Sequence, residues 1–427
     1  MTQMRMAKEG KLTSEMSSIL EKEPISEKKL IKGISTGKIV ILPNKRRSNY
    51  HVGLGDGLKS KILCNTGTST DSSSFSEILE IARDAEKYGA SILCDQSSGP
   101  KFVEYRKQLL SATSLPIAFV PLYQNVEEGM RIYDDPIHFT TNDVIETFEE
   151  QILQGISAPG IHPITKSIIK KIESSSRLMP YISRGGAIIS AWIKKTNEEN
   201  PYIQNFDKIL EICAKNDVPL TFVCATRAGC LADGFDNVQI SEWKLIGSLV
   251  KKAHKKNVSV IVNGIGHLGI EKIPKAVQKL KNLTHNIPIG VMRPAITDRG
   301  LGFEHISHVI GATIAIQNGA NYCQACCRTE HIGLPEKKDV IEALRTYKIA
   351  LYAADLTKLP SLQQLDNQIS IARCKNEWGK QLDLAIEPFI AKKTFKRVGP
   401  ANMEKKGCSV CGELCPFKII NTPNEVN

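Results

Sequence analysis

The chain has 427 residues, of which 41% are hydrophobic and 24% charged, and a net charge of +11. This is globular composition with enough length for a sizeable core, and it excludes a mainly disordered protein. No apolar run approaches the roughly 18 residues of a membrane-spanning helix. Residues Met1 to Glu9 lack the apolar core of a secretory signal, so a cytoplasmic protein with no membrane partner is expected.

The basic excess is mostly lysine in scattered patches such as Lys251-Lys252-Ala253-His254-Lys255-Lys256 and Lys392 to Lys396. Such patches read as solvated faces and a basic tail, and no nucleic-acid motif accompanies them.

In chain order, residues 1–59 read as a polar N-terminal helical segment with the basic connector Lys45-Arg46-Arg47. From residue 60 to 358 a unit repeats, in which a short apolar run ends in small or polar residues and a helical stretch follows. The runs are Ile62-Leu63-Cys64, Ser91 to Cys94, Ile117 to Val120, Tyr181-Ile182, Leu220 to Cys224, Val258 to Val262, Ile287 to Met292 and Tyr322-Cys323, with a weaker one leading to Gly160-Ile161. Short β-rich runs alternating with helices predict an α/β protein with a parallel sheet buried on both faces. Eight or nine such strands fit a (β/α)₈ TIM-type barrel, with one candidate strand in excess. Residues 359–427 form a C-terminal helical region and tail, with Trp378, Gly399-Pro400, a lysine-rich linker and a closing group of cysteines.

Unusual residues gather where the runs end. They include Asn65, Asp95-Gln96, Tyr123, His162, Ser183-Arg184-Gly185-Gly186, Arg227, Asn263, His267, Arg293 and Glu330-His331. One such loop is ordinary loop chemistry. In a barrel all of them share the C-terminal rim, where active sites lie.

Twelve cysteines in a cytoplasmic chain favour metal or redox chemistry over disulfides. Cys408, Cys411 and Cys415 are spaced Cys-x₂-Cys-x₃-Cys. Three thiolates so placed can hold a [4Fe–4S] cluster with one iron open. Zinc competes, although a closed structural zinc site takes four ligands. His267 and His331 stand at strand ends, where imidazoles bind zinc or iron or simply hydrogen-bond. Ser183-Arg184-Gly185-Gly186 offers a hydroxyl, a guanidinium and exposed backbone N–H groups of the kind that hold phosphate, though it also serves as a plain turn. Arg227 is a second rim guanidinium.

Several segments in constant order resemble the phosphomethylpyrimidine synthase family, radical S-adenosylmethionine enzymes of thiamine biosynthesis. They are Val120-Pro121-Leu122-Tyr123-Gln124, Ile182 to Gly186, Asn200-Pro201-Tyr202, Gly264-Ile265-Gly266-His267, Thr297-Asp298, Glu304-His305-Ile306, Glu330 to Pro335, Tyr347 to Ala350 and Ala353-Ala354-Asp355. The closing Cys-x₂-Cys-Gly-x₂-Cys resembles the family's short-chain branch. The resemblance implies a dimeric (β/α)₈ barrel whose cluster rides on a tail, with 5-aminoimidazole ribotide as substrate and a reductant such as flavodoxin or ferredoxin. It implies ribotide contacts at Asn65, Cys94, Tyr123, His162, Ser183, Arg184, Gly185, Arg227, Asn263 and Gly290. A second divalent metal, zinc or iron, is implied at His267 and His331, and the [4Fe–4S] cluster, which binds S-adenosylmethionine, at Cys408, Cys411 and Cys415.

The departures from the family pattern are specific. Gly-Asp-Gly or Gly-Asp-Ala becomes Cys224-Ala225-Thr226, Glu-Gly-Pro-Gly-His becomes Asn263 to His267, and His-Ala-Gly becomes His162-Pro163-Ile164. A tyrosine becomes Gly290, and a glycine ahead of Thr297-Asp298 becomes Arg293. An apolar-Thr-Pro run becomes Cys326-Cys327-Arg328. Loss of a carboxylate at 263 removes a base and a negative charge. The leading expectation is therefore a paralogue, a 5-hydroxybenzimidazole synthase. It would convert the same ribotide to the lower-ligand base of anaerobic cobalamin, releasing 5′-deoxyadenosine, methionine, formate and phosphate. The alternatives are the thiamine pyrimidine synthase itself, a regulatory iron–sulfur or zinc protein on a degenerate barrel, and a subunit that needs a paralogous partner.

Overall fold

The computed structural model describes residues 1–44, 50–68, 75–99, 101–399 and 410–421. The chain divides into two compact units, Met1–Asp355 and Leu356–Asn427.

In the first unit, strands β1 (Ile39–Leu42) and β2 (Val52–Gly55) form an antiparallel pair. Eight further strands close a parallel barrel: β3 (Lys61–Thr66), β4 (Ile92–Asp95), β5 (Ile117–Phe119), β6 (Ala158–Ile161), β7 (Leu220–Val223), β8 (Val260–Ile265), β9 (Ile289–Met292) and β10 (Tyr322–Ala325). They pair in chain order, and β10 closes against β3 with Tyr322 opposite Lys61. The expected (β/α)₈ barrel is present. Its strands are short and buried on both faces because helices cover them outside. Helix Ile273–Leu283 shows how, burying Ile273, Ala276, Val277 and Leu280 along one stripe of helical spacing.

Two elements differ from the sequence expectation. Tyr181-Ile182 is not a strand, and it leads irregularly into the helix Arg184–Thr196. The weaker run is the true strand. Ala158-Pro159-Gly160-Ile161 has poor strand propensity, but pairing on both sides holds it, with Phe119 opposite Pro159 and Gly160 opposite Thr221.

The N-terminal segment is the second difference. After helices Gln3–Lys8, Ser14–Leu20 and Glu27–Ser35 the chain makes the β1–β2 hairpin, which a purely helical reading misses. The two faces of the hairpin are both apolar. Val40, Leu42, Val52 and Leu54 pack on Leu63, Ile92, Ala118, Ala158, Ile261 and Tyr322, which line the barrel interior. Ile39 and Ile41 point the other way, among Met16, Ile19, Leu30 and Ile34. Asn44 donates to the carbonyl of Ser114, just ahead of β5, which sets the hairpin at the N-terminal mouth of the barrel. That end is filled with side chains. Toward the other end the small residues Ala118, Ala158, Gly160 and Thr221 leave the interior hollow.

In the second unit, helices Pro360–Cys374, Trp378–Leu384 and Pro388–Val398 pack together, with the rings of Trp378 and Phe395 5.1 Å apart. A single turn, Gly412–Leu414, and helix Pro416–Asn421 follow. Among the described residues no helix is long and apolar enough to cross a membrane.

Candidate active site

The hollow end of the barrel is a cavity of about 280 Å³. Leu63, Ala118, Ala158, Thr221 and Tyr322 line its deeper part, and polar groups from the strand ends line its mouth.

One wall is cationic. Ser183 caps helix Arg184–Thr196, its hydroxyl accepting from the Gly186 N–H at 3.3 Å. Ser183 and Arg184 line the cavity at the start of that helix, and a helix N-terminus favours an anion. Arg184 lies over the Tyr123 ring at 4.0 Å and donates to the Gln96 carbonyl. Arg227 is buried and donates to the Cys224 carbonyl at 3.0 Å. Burial pushes its guanidinium down to about 10, with the charge of Arg293 adding to the effect, so it stays charged at neutral pH.

His162 is buried between these cations, and burial, with Arg227 and Arg184 adding, pushes it down to about 3. It is therefore a neutral imidazole, and its Nδ1 has no protein partner. Its ring lies where a Cβ on Gly185 would be, 2.2 Å from the nearest ring atom, so only glycine fits at 185. Asn200, fully buried, donates to the carbonyls of His162 and Ile164 and fixes this loop.

The turn that carries Arg227 hangs on a buried carboxylate. Glu242 accepts from the N–H groups of Ala225 and Thr226, at 2.6 and 2.9 Å, and from the Thr226 hydroxyl. Cys94 also lines the cavity, and burial pushes its thiol up to about 12, so it stays protonated.

Of the residues anticipated for the ribotide, Cys94, Tyr123, His162, Ser183, Arg184, Arg227 and Asn263 line the cavity. Three stand behind it. Asn65 accepts from Gln96 Nε2 at 3.2 Å, and Gln96 faces the cavity in its place. Gly185 backs His162. Gly290 does not open space as its exchange for a tyrosine implies: a Cβ there would lie 2.3 Å from both Asn263 Oδ1 and the Tyr322 ring, so these neighbours already fill the volume.

Arg293 lines the cavity and forms an ion pair with Glu330. The charge added at 293 therefore comes with a carboxylate beside it. Its φ is +49°, a left-handed conformation that glycine adopts freely and other residues adopt at a cost of about 1–2 kcal/mol. Ile265 is a second such residue at φ +70°. Proline, which the family pattern has at this position, is locked near −65° and cannot take this conformation.

Gln324 and Tyr322 are cavity residues that the sequence reading did not single out, and Gln96, named there only among the strand-end residues, is a third. Both amide atoms of Gln324 are buried without a protein partner, and so is the Tyr322 hydroxyl. A signal was available, because residues two apart on a barrel strand share the inner face, and a glutamine there is unusual in an apolar run.

Beyond Arg293 and Glu330 lie the histidines. The rings of His267 and His331 are 5.3 Å apart. His267 Nδ1 pairs with Asp298 at 2.8 Å, and His331 Nδ1 pairs with the Glu304 carboxylate. His267 Nε2 is buried and unpartnered. An imidazole held at Nδ1 by an oxygen, with a free Nε2, is oriented as a metal ligand, so these residues fit a divalent ion. Burial lowers His267, partly offset by Asp298, which keeps it in the neutral, ligating form.

In the second unit, Cys411 and Cys415 bracket the turn Gly412–Leu414, whose Leu414 N–H donates to the Cys411 carbonyl at 3.0 Å. Cys408 lies outside the described residues. Two thiols one turn apart and a third three residues upstream suit a cluster with an open iron.

The Radical SAM ThiC family profile matches residues 2–422. The phosphomethylpyrimidine synthase of Dehalococcoides mccartyi (strain CBDB1) is 35% identical over 98% of this chain and 97% of its own. The proteins of the same name from Methanocaldococcus jannaschii and Carboxydothermus hydrogenoformans are each 36% identical, over 98% and 99% of this chain and 99% and 98% of theirs. All three carry the pyrimidine-synthase name, so the comparisons favour that alternative over the benzimidazole expectation, which they do not support. Matched nearly end to end, the chain belongs to the Radical SAM ThiC family of enzymes.

Proposed function

We propose that this enzyme is a phosphomethylpyrimidine synthase, rearranging 5-aminoimidazole ribotide into the phosphorylated pyrimidine of thiamine. The observation that carries the reading is the end-to-end likeness to proteins of that name. The cavity adds chemical support, because its cationic wall suits a ribotide phosphate and its deeper, more apolar part suits a heterocycle.

In this reading the phosphate sits at the start of helix Arg184–Thr196, taking N–H groups of the first turn and the guanidinium groups of Arg184 and Arg227. His162 contributes a neutral hydrogen-bonding edge rather than charge. Asn263 and Gln324 donate or accept neutral hydrogen bonds to the ring substituents. The protonated Cys94 thiol contributes no negative charge. The buried walls keep solvent from the reacting carbon atoms. A [4Fe–4S] cluster on Cys408, Cys411 and Cys415 supplies, when bound, the electron that cleaves S-adenosylmethionine to the 5′-deoxyadenosyl radical. His267 and His331 hold a divalent ion, zinc or iron. A flavodoxin or ferredoxin as reductant, a homodimeric assembly and a cytoplasmic location complete the proposal, on the strength of the family resemblance.

The test is anaerobic turnover of the cluster-reconstituted protein with the ribotide, S-adenosylmethionine and dithionite, followed by mass spectrometry. A pyrimidine that retains phosphate is expected, with 5′-deoxyadenosine. A phosphate-free benzimidazole would overturn the reading and make Asn263, where the family pattern has a glutamate, the residue to explain it.

A further inference from the structure

We infer that His308 is the third imidazole of the divalent-cation site at His267 and His331, making it a three-histidine centre with an open position. The inference rests on the reading that those two histidines take an ion.

Three successive strand–helix units each bring one ring to this point. His267 follows β8, His308 lies one turn into the helix Glu304–Gln317 that follows β9, and His331 follows β10. The ring centres form a triangle with sides of 5.3 Å (267 to 331), 5.7 Å (267 to 308) and 6.0 Å (308 to 331). A nitrogen bound to zinc at about 2.0–2.1 Å puts its ring centre about 3.2 Å from the metal, and tetrahedral angles then put ring centres about 5.2 Å apart. The observed triangle is slightly wider than that. Among the described residues no three histidine, cysteine or acidic side chains stand close enough together, as they are, to hold a metal ion. An ion would draw the rings in by roughly half an ångström, within side-chain adjustment for zinc–nitrogen bonds.

Each ring is oriented the same way. His308 Nδ1 donates to the Glu304 carbonyl at 2.6 Å. His331 Nδ1 contacts the Glu304 carboxylate, and His267 Nδ1 contacts Asp298. One residue, Glu304, thus orients two of the three imidazoles, by its backbone and by its side chain. With the proton placed on Nδ1 by these acceptors, the lone pair lies on Nε2. The Nε2 atoms of His267 and His308 are both buried without a partner. His308 itself is 1% exposed, so water does not meet this need from outside. Neutral imidazoles select zinc, iron or cobalt over magnesium or calcium.

The experiment is anaerobic titration of the full-length, cluster-reconstituted protein with Co²⁺ and Zn²⁺, with zinc K-edge X-ray absorption to count imidazoles. Wild type is expected to bind one ion through three imidazoles and to give cobalt ligand-field bands of a four-coordinate site. His308→Gln is expected to lower affinity by at least about 100-fold, the upper end for loss of an outer-shell partner, and to leave two imidazoles. Two imidazoles in wild type, or unchanged affinity in His308→Gln, would overturn the inference alone. No bound ion in wild type would overturn it together with the reading of His267 and His331. The wild-type count does not depend on how well the variant folds.

Discussion

Single atoms at two positions decide how the cavity is used. Gly185 has no room for a methyl group, since the His162 ring lies 2.2 Å from where it would go. Gly185→Ala is expected to shift that ring, to cost about 1–3 kcal/mol in a thermal melt, and to raise KM for the ribotide. Gln324 is the opposite case. Its amide is buried without a protein partner, and a polar group left unmet costs about 1–3 kcal/mol. Gln324→Leu is therefore expected to raise Tm while lowering turnover, as happens where binding is preferred to stability. A fall in both would mean that the amide serves packing. At this scale the sequence was readable where a residue type announces its chemistry. Arg227 and His162 stood out after strands and Arg184 after a run that proved not to be one, and the structure sets all three on the cavity wall. Gln324 was readable as a glutamine in an apolar run but was not read, and His308 did not stand out, because a histidine inside an apolar helix acquires meaning only when its neighbours are known.

Among the elements, the end of β8 departs from the family pattern in backbone as well as in side chain. Ile265 is buried at φ +70°, its carbonyl accepts from Gln239 Nε2 at 2.7 Å, and His267 lies two residues on. Ile265→Pro would restore the residue of the family pattern but force φ to about −65°, and it is expected to destabilise the protein by about 3 kcal/mol or more. Ion binding at His267 should weaken with it, read by equilibrium dialysis beside the melt. A variant as stable as wild type would show that the loop can take the family's conformation. The elements themselves were legible to different degrees. Long amphipathic helices and β-branched strands declared their type by period alone. The strand Ala158–Ile161 did not, because proline and glycine hide it until Phe119 and Thr221 pair with it. The hairpin was missed for another reason: with Val40 and Ile41 buried on opposite faces, it shows no polar–apolar alternation.

For the molecule as a whole, buried neutral histidines set the acid limit. His162 is pushed down to about 3, and His254, whose ring packs against Gly37, is pushed down to about 4, both mainly by burial, from an ordinary value of 6.5. Below 6.5 the unfolded chain takes up protons that the folded chain refuses. Their contribution is complete above 6.5 and is lost progressively as pH falls toward 4, at up to about 1.4 kcal/mol per pH unit for each histidine. The urea midpoint is expected to be lower at pH 5 than at pH 7, and the pH dependence to flatten in His254→Gln, which lies away from the cavity. An unchanged slope would show that His254 is protonated in the folded chain.

The hairpin across the N-terminal mouth has a kinetic meaning. With Val40, Leu42, Val52 and Leu54 wedged into its N-terminal end, the barrel, among the described residues, opens at the end where the strand-end residues line the cavity mouth. In the proposed reading, a ribotide anchored near Ser183 and reaching down toward Tyr322 would enter by this mouth, and its product would leave by it. Entry and exit through that mouth are therefore expected to compete, so that accumulated product slows the arrival of the next substrate molecule.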